Sequence, residues 1–344
     1  MRHHTRKLGL LFTIPFVAAT AIACSSGDDG NDDITTPRDG GEQTPRDAGV
    51  ERDGGPPRDA GPRDGGTEPP PFDGGCAIEE NVDTTPDQAC NGTGGTWTVT
   101  VSGRVNDPQG NPADGAGVNI CLTDARNDQA TCLIPRPVCA DGRYEVLVPE
   151  SFRCATHMVA RAFSTNNNTA FTYCDITAGA ARLEVTEPVR LFETIRVPDL
   201  EEGDPLVEQT VTFDDGLELD VVPDDFPAPF EELGAVRVQQ SEVCTLAGSP
   251  TTYEGIYAFS PETDLNSVTF PIRIPNTTGL AANSSVRLYV LGGLLCSVPR
   301  PGMDDYLVDE SEWYEFGSAQ VSSDGTMIVG GDLPCVGWLA YSAM

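Results

Sequence analysis

The stretch TWTVTVSGRVNDPQGNP, residues 96–112, contains both parts of the pattern from which we predict the fold. In its first ten residues Trp97, Val99 and Val101 alternate with polar side chains, as the buried and exposed positions of a β-strand do. Its last seven are Asn, Asp, Pro, Gln and Gly, which favour tight turns. This pattern recurs from Cys76 onward and helical periodicity is scarce, so the sequence predicts an all-β protein with two β-sandwich domains.

The other strand candidates show the same alternation between turn residues. They lie at residues 117–122, 143–148, 158–163 and 190–197, and then at 235–239, 253–259, 268–274, 286–291 and 327–329. Between the two groups, residues 199–232 contain 13 acidic and no basic side chains. We therefore predict one sandwich over residues 76–198 and a second, acidic one over residues 199–344.

The N-terminal residues predict where the protein works. Arg2, Arg6 and Lys7 precede an apolar run of roughly 15 residues, which is short for a membrane span of about 20. The block Ala21-Ile22-Ala23-Cys24 that follows resembles the lipobox of bacterial lipoproteins. The resemblance implies that residues 1–23 are a signal peptide and that Cys24 is acylated. Ordinary secretion is the alternative, because the same block fits an A-x-A cleavage site.

Residues 24–75 are predicted to be a disordered linker. They carry a degenerate PRDGG repeat at residues 37–41, 45–49, 52–55, 57–61 and 62–66, with hardly an apolar side chain. Such a segment buries too little surface to offset its ordering entropy, so we interpret it as a spacer. Ser25 and Ser26, and not an aspartate, follow Cys24. This favours the outer membrane or cell surface as the location.

The first predicted sandwich resembles the carboxypeptidase-regulatory-like, or prealbumin-like, β-sandwich. The motifs that carry the resemblance are VSGRVND (101–107), GNPADGAGV (110–118), DGRYEVLVP (141–149) and MVARA (158–162). It covers about 100 residues. It implies a folding or attachment module that has no catalytic residues.

The second predicted sandwich is similar in places to the ankyrin and netrin-receptor type β-domain. The matching pieces are FSPE (259–262), VTFPI (268–272), VSSDG (321–325) and GW (337–338). Some relatives cut themselves at a His-Phe-Ser motif. The corresponding region here reads LPCV (333–336), with neither the histidine nor the serine, so the resemblance does not imply self-cleavage.

Composition excludes several classes of function. The chain has a net charge of −32, and Lys7 is its only lysine. Nucleic acid is not expected as a partner, since its phosphates need a basic footprint. A P-loop, a Schiff-base lysine and a Ser-x-x-Lys nucleophile pair each need a lysine that the mature chain lacks.

One histidine, His157, remains after the signal is removed. A Ser-His-Asp triad could use it, but no serine signature accompanies it, so a structural histidine is expected. We predict no catalytic residues and no enzyme activity. A hydrolase that needs only two carboxylates in a cleft stays open as an alternative.

Two further kinds of binding site are considered, one for calcium and one for a sugar. Calcium, the one cofactor considered, could bind acidic loops, and the candidates are Asp214, Asp215, Asp224, Asp225, Asp304 and Asp305, although none fits the EF-hand pattern. Trp313 and Tyr314 would face opposite sides of a strand, so one of them is a candidate for stacking on a sugar. Solvated acidic surface and ordinary packing are the alternatives.

The cysteines are expected to form disulfides. Besides Cys24 there are ten: Cys76, Cys90, Cys121, Cys132, Cys139, Cys154 and Cys174 in the first half, and Cys244, Cys296 and Cys335 in the second. Seven and three are both odd. If all ten pair, at least one disulfide must therefore join the two halves.

These observations predict a surface lipoprotein that is not an enzyme. A lipid anchor would hold it to the membrane, and its β-domains would serve adhesion, envelope structure or the binding of a protein or glycan partner. The alternatives are the carboxylate-dependent hydrolase and a calcium-stabilised carbohydrate-binding module.

Overall fold

The computed structural model describes residues 82–344 apart from 165–167, 178, 198–204, 229, 247–250, 266–267 and 294–295. The predicted signal peptide and linker, with Cys24 and Cys76, lie outside the described residues. The predicted domain boundary at residues 198/199 does too, so it stays a prediction.

The described secondary structure is almost entirely β, which confirms the predicted fold class. The helices are 3₁₀ turns of three residues each, at Gln88–Cys90, Glu150–Phe152, Pro223–Asp225, Phe230–Glu232, Gln240–Glu242 and Cys244–Leu246. No described helix has the length and apolar character needed to cross a membrane. The strands are β1 (Thr96–Trp97), β2 (Thr100–Asn106), β3 (Gly117–Asp124), β4 (Gln129–Cys132), β5 (Arg136–Pro137), β6 (Arg143–Leu147), β7 (Cys154–Phe163), β8 (Thr169–Ala170), β9 (Thr172–Ile176), β10 (Arg182–Glu184), β11 (Val189–Arg190), β12 (Phe192–Glu193), β13 (Ile195–Arg196), β14 (Gln209–Thr212), β15 (Glu218–Val221), β16 (Gly234–Val238), β17 (Gly255–Asp264), β18 (Phe270–Pro275), β19 (Ser285–Leu291), β20 (Ser297–Val298), β21 (Tyr306–Leu307), β22 (Trp313–Val321), β23 (Met327–Leu333) and β24 (Cys335–Ala343).

The first half of the described chain, which contains β1 to β11, consists mainly of two sheets that enclose one hydrophobic core. One sheet has the order β1-β7-β3-β4, with β9 beside β7 and β5 beside β3; in the other, β2 pairs with β6, β10 and β11. Val101 and Val105 of β2 meet Ile120 of β3 and Met158 of β7 in what we call the first core. The alternation that predicted these strands places such side chains inward.

The second half, from β13 to β24, is built on a single ten-stranded sheet that curls into a half-barrel. Its strand order is β13-β16-β17-β24-β19-β22-β23-β18-β15-β14. The concave arrangement encloses a second core, to which Leu219, Phe259, Ile272, Leu288 and Leu339 contribute. One continuous curled sheet thus buries its own inner face.

A third cluster of buried side chains, the interface core, lies between the halves. Val159 and Tyr173 come from the first half, and Ile256, Trp338 and Ala340 from the second. Strand β24 is therefore buried on both faces, since Leu339 and Tyr341 belong to the second core and its neighbours to the interface core. All described residues belong to one compact unit.

Four disulfides join described cysteines: Cys90–Cys154, Cys121–Cys132, Cys174–Cys244 and Cys296–Cys335. Cys139 is disulfide-bonded as well. The prediction that the cysteines form disulfides is confirmed for these residues. Cys174–Cys244 links the two halves, and this agrees with the link expected from the odd number of cysteines in each half if all ten pair.

Candidate functional site

A cleft of about 690 Å³ lies where the two halves meet. One wall is the outer face of the sheet formed by β4, β3, β7 and β9. The other wall is the segment Leu307–Glu312, between β21 and β22, together with Gly293. Among the described residues that line this cleft, none is a phenylalanine, tyrosine or tryptophan.

Strand alternation brings the polar side chains of the first wall together. On β7, Met158 and Ala160 enter the first core, so His157, Val159 and Arg161 share the opposite face. The register pairs Val159 with both Cys121 of β3 and Asp175 of β9. The register therefore carries Cys121 and Asp175 onto the face that holds His157.

The second wall depends on a close approach of two chain segments. Ser311 donates its backbone N–H to the carbonyl of Gly292 at 2.8 Å and has a φ of 67°, in the left-handed region. A Cβ on Gly292 would lie 1.9 Å from the carbonyl oxygen of Asp309, so a glycine is required there. This packing fixes Glu310 and Ser311 against the first wall.

Three residues of the cleft have the side-chain types of a Ser-His-Asp triad, but not its arrangement. The Ser311 hydroxyl donates to Asp175 and lies 3.4 Å from Nε2 of His157. Asp175 faces that same nitrogen at 3.7 Å. In a triad the histidine lies between the other two and uses one ring nitrogen for each. Here one nitrogen meets both partners, so no proton relay through the ring is formed.

Glu310 is the partly buried carboxyl of the cleft. Its Oε1 lies 3.6 Å from Nη1 of Arg161, and its Oε2 lies 3.2 Å from Sγ of Cys132. Burial, with a smaller contribution from the Glu262 charge, raises the pKa of Glu310 to about 7, although Arg161 opposes the shift. The carboxyl thus titrates near neutral pH.

Arg161 and Tyr173 continue this polar cluster across the interface. Arg161 is only 6% exposed and donates from Nε to Asn119 at 3.0 Å. Tyr173 donates its hydroxyl to Glu262, and burial raises the pKa of this phenol well above its usual value. Within the described part of the chain, Nη1 of Arg161 and Oε1 of Glu310 are buried without a hydrogen-bond partner.

The Cys121–Cys132 disulfide forms part of the cleft wall. The two cysteines lie directly opposite each other on β3 and β4, with their Cα atoms 3.9 Å apart. Cys121 is buried and Cys132 is exposed. With Glu310 they form the group of potential metal ligands that the described residues contain, with one ligand atom of each within 4.8 Å of the others.

The six aspartates predicted as calcium ligands lie apart from this cleft. Asp214 and Asp215 occupy the turn between β14 and β15, and the other pairs lie in the 3₁₀ turn Pro223–Asp225 and in the loop before β21. All six are exposed, and none belongs to a group of three close ligand side chains among the described residues. Calcium binding there stays a prediction.

The two aromatic candidates pack into different cores. Trp313 contacts the interface core and donates from Nε1 to Thr245 at 3.2 Å, while Tyr314 contacts the second core. Their rings also pack against Tyr253 and Tyr306 respectively. A sheet covered on one face would leave one of the two rings exposed, but this sheet is covered on both faces. A stacking role stays a prediction.

Sequence reasoning singled out His157 but missed its neighbours Asp175 and Ser311. Alternation shows which side chains share a face, whereas it does not reveal what covers that face. Arg161 could have pointed to this cluster, because it is a charged residue between the small apolar residues of β7.

The chain matches no family model and no curated protein.

Proposed function

We propose that this chain is a lipid-anchored surface protein that is not an enzyme. We call the disulfide-bonded β-structure that the described residues form the β-body. A spacer holds the β-body away from the outer membrane, for adhesion, envelope structure or the binding of a protein or glycan partner. The resemblance to carboxypeptidase-regulatory-like modules, which serve attachment, agrees with this role.

The observation that carries the proposal is the joining of the two halves. The interface core and the Cys174–Cys244 disulfide both cross from one half to the other. A module that presents a binding surface at the end of a flexible linker benefits from such rigidity, because less freedom is lost when a partner binds. The arrangement of His157, Ser311 and Asp175, which forms no relay, also supports a role other than catalysis.

The lipid anchor is supported by cysteine pairing. Eight described cysteines are paired with one another, and Cys139 is bonded too. If Cys24 carries lipid and every other cysteine pairs, the two left over are Cys76 and Cys139. We therefore expect these two to bond to each other and no free thiol to remain.

The experiment compares the unaltered chain with Cys24→Ser, expressed in a bacterium that processes lipoproteins and fed an alkyne-labelled fatty acid. The unaltered chain should take up the label and sediment with membranes, whereas Cys24→Ser should be unlabelled and soluble. Ser26→Ala serves as the matched control and should keep both properties. An unlabelled, soluble unaltered chain would overturn the proposed anchor.

The second candidate is the carboxylate-dependent hydrolase, which is favoured by the carboxylates that line the cleft. Asp175 comes from one wall and Glu310 from the other, as a two-carboxylate mechanism needs. The test is a panel of chromogenic glycosides with the unaltered chain, Asp175→Asn and Glu310→Gln. Turnover that both variants abolish would establish this function, and no turnover on the panel favours the binding role.

A further inference from the structure

We propose that Cys121, Cys132 and Glu310 form a binding site for a thiophilic divalent cation such as Zn²⁺, which becomes available when the disulfide between the two cysteines is reduced. This inference does not depend on the lipid anchor or on the partner of the β-body.

The three ligand atoms already lie close together, although the two sulfurs are still bonded to each other. One atom from each residue falls within 4.8 Å of the others, and Oε2 of Glu310 lies 3.2 Å from Sγ of Cys132. Around tetrahedral zinc, with Zn–S of about 2.3 Å and Zn–O of about 2.1 Å, neighbouring ligand atoms are ~3.7 Å apart. After reduction, the sulfurs therefore need only separate by side-chain rotation on two paired strands.

Reduction should begin at this bridge, because thiol–disulfide exchange requires access to a sulfur. Cys132 is exposed, whereas every cysteine of the other three described disulfides is buried or partly buried. A dithiol would attack the Cys132 sulfur and release Cys121 as a thiol. Its second thiol would then displace Cys132, so the chain gains two thiols and the reductant becomes a cyclic disulfide.

The ligand set selects the metal. Two thiolates with one carboxylate suit Zn²⁺, Cd²⁺ and Co²⁺, whereas Ca²⁺ and Mg²⁺ need a shell of oxygens. Binding displaces one proton from each thiol. The site is thus chemically distinct from the calcium candidates on the acidic loops.

The residues around Glu310 hold its carboxylate in the orientation that a metal ligand needs. Arg161, 3.6 Å from its Oε1 and itself fixed by Asn119, orients the carboxylate so that Oε2 faces the sulfurs. Partners of this kind around a metal ligand typically change affinity about 10- to 100-fold. Three protein ligands leave a fourth position for water or a small molecule, and the adjoining cleft of about 690 Å³ has room for either.

The test begins with mild reduction of the full chain by a water-soluble phosphine, which binds the oxygen of water and becomes a phosphine oxide. Alkylation and peptide mass spectrometry should find Cys121 and Cys132 labelled before any other cysteine. Co²⁺ should then give the near-ultraviolet thiolate charge-transfer band, and native mass spectrometry should show one Zn²⁺ per reduced chain and none per oxidised chain.

Variants separate the site from adventitious binding. Cys132→Ser should remove the charge-transfer band, and Glu310→Gln should weaken Zn²⁺ binding at least tenfold while leaving the fold and the order of reduction unchanged. Glu312→Gln, which removes a neighbouring carboxylate of the same cleft, should bind Zn²⁺ as the unaltered chain does. Three results would overturn the proposal: a reduced chain that binds no metal, equal affinities for both glutamate variants, or earlier reduction of another bridge.

Discussion

Gly292 and Glu310 show how the cleft depends on individual residues. The backbone of Gly292 lies against Asp309, and this contact holds Glu310 between Arg161 and the sulfur of Cys132. A carboxyl in that position keeps its proton to higher pH, since burial disfavours its charge. Backbone packing therefore sets the electrostatics of the cleft.

The close approach at Gly292 predicts a cost for any side chain there. Gly292→Ala would place a methyl group 1.9 Å from a carbonyl oxygen, so the backbone must shift and the free energy of unfolding should fall by about 1–3 kcal/mol. Chemical denaturation measures this change. Gly317→Ala is the control, because its Cβ would meet nothing within 4 Å. Equal losses in the two variants would contradict the packing argument.

A second prediction at this scale concerns acid stability. Arg273 donates to Glu218 and Asp220, and hydrogen bonds from Arg273 lower the pKa of Asp220 below 3.8. A lowered carboxyl pKa stabilises the fold above pH 3.8, and this contribution is lost as the pH falls through the lowered value. Arg273→Gln should cost about 2 kcal/mol at neutral pH and lose less stability on acidification than the unaltered chain.

Denaturation curves between neutral and acid pH measure both effects. Arg287→Gln is the matched control, since its partner Glu315 is 3.9 Å away and both side chains are about half exposed. It should leave the acid dependence unchanged. An Arg273→Gln curve parallel to that of the unaltered chain would refute the assigned cause.

At the scale of elements, alternation located the strands that have one buried face. The predicted strand at 286–291 is β19, Ser285–Leu291, and the one at 117–122 is β3, Gly117–Asp124. The range 190–197 was predicted as one strand but is three, β11 to β13, because each pairs with a different strand. Residues 335–343 were not predicted as a strand, since β24 is buried on both faces and its sequence shows no alternation.

The candidate site was less predictable than the strands for the same physical reason. Alternation places His157 and Arg161 on one face of β7, but Ser311 reaches His157 from a segment about 150 residues away in the sequence. No local pattern contains such a contact. Only the register and the packing of the two halves reveal it.

Strand β24 gives a prediction for the interface core. Trp338 is 2% exposed, donates from Nε1 to the carbonyl of Phe171 at 2.7 Å, and packs edge-on against Phe192. Trp338→Ala should lower the free energy of unfolding by about 3–5 kcal/mol, because it leaves a cavity between the halves. Trp338→Phe keeps most of the side-chain volume and loses the hydrogen bond, so it should lower the free energy of unfolding by less than Trp338→Ala does. Denaturation of both variants tests this order, and an equal, small loss would contradict it.

At the scale of the whole molecule, the two halves should behave as one body. Cysteine parity predicted a link between them, and Cys174–Cys244 provides it across 70 residues of sequence. The sequence did not reveal the interface core, whose side chains come from strands far apart in the chain. The linking disulfide was thus foreseeable by counting, whereas the packing beside it was not.

Among the described disulfides, we expect Cys174–Cys244 to contribute most to the free energy of unfolding of the full chain. Replacing both Cys174 and Cys244 by serine should cost about 4 kcal/mol, because the bridge closes a long loop in the unfolded chain. Replacing Cys121 and Cys132, which are 11 residues apart, should cost roughly 3 kcal/mol or less. Denaturation of the two double variants gives both values. The reverse order would mean that Cys174–Cys244 does not hold the halves together.

Intact-mass measurement and disulfide mapping of the chain, extracted from membranes of its own cells, would show whether the β-body is anchored and has no free thiol. We expect an acylated Cys24, the four described bridges and a fifth that joins Cys76 to Cys139. An unacylated chain, or a bridge from Cys24 to Cys139, would contradict this expectation.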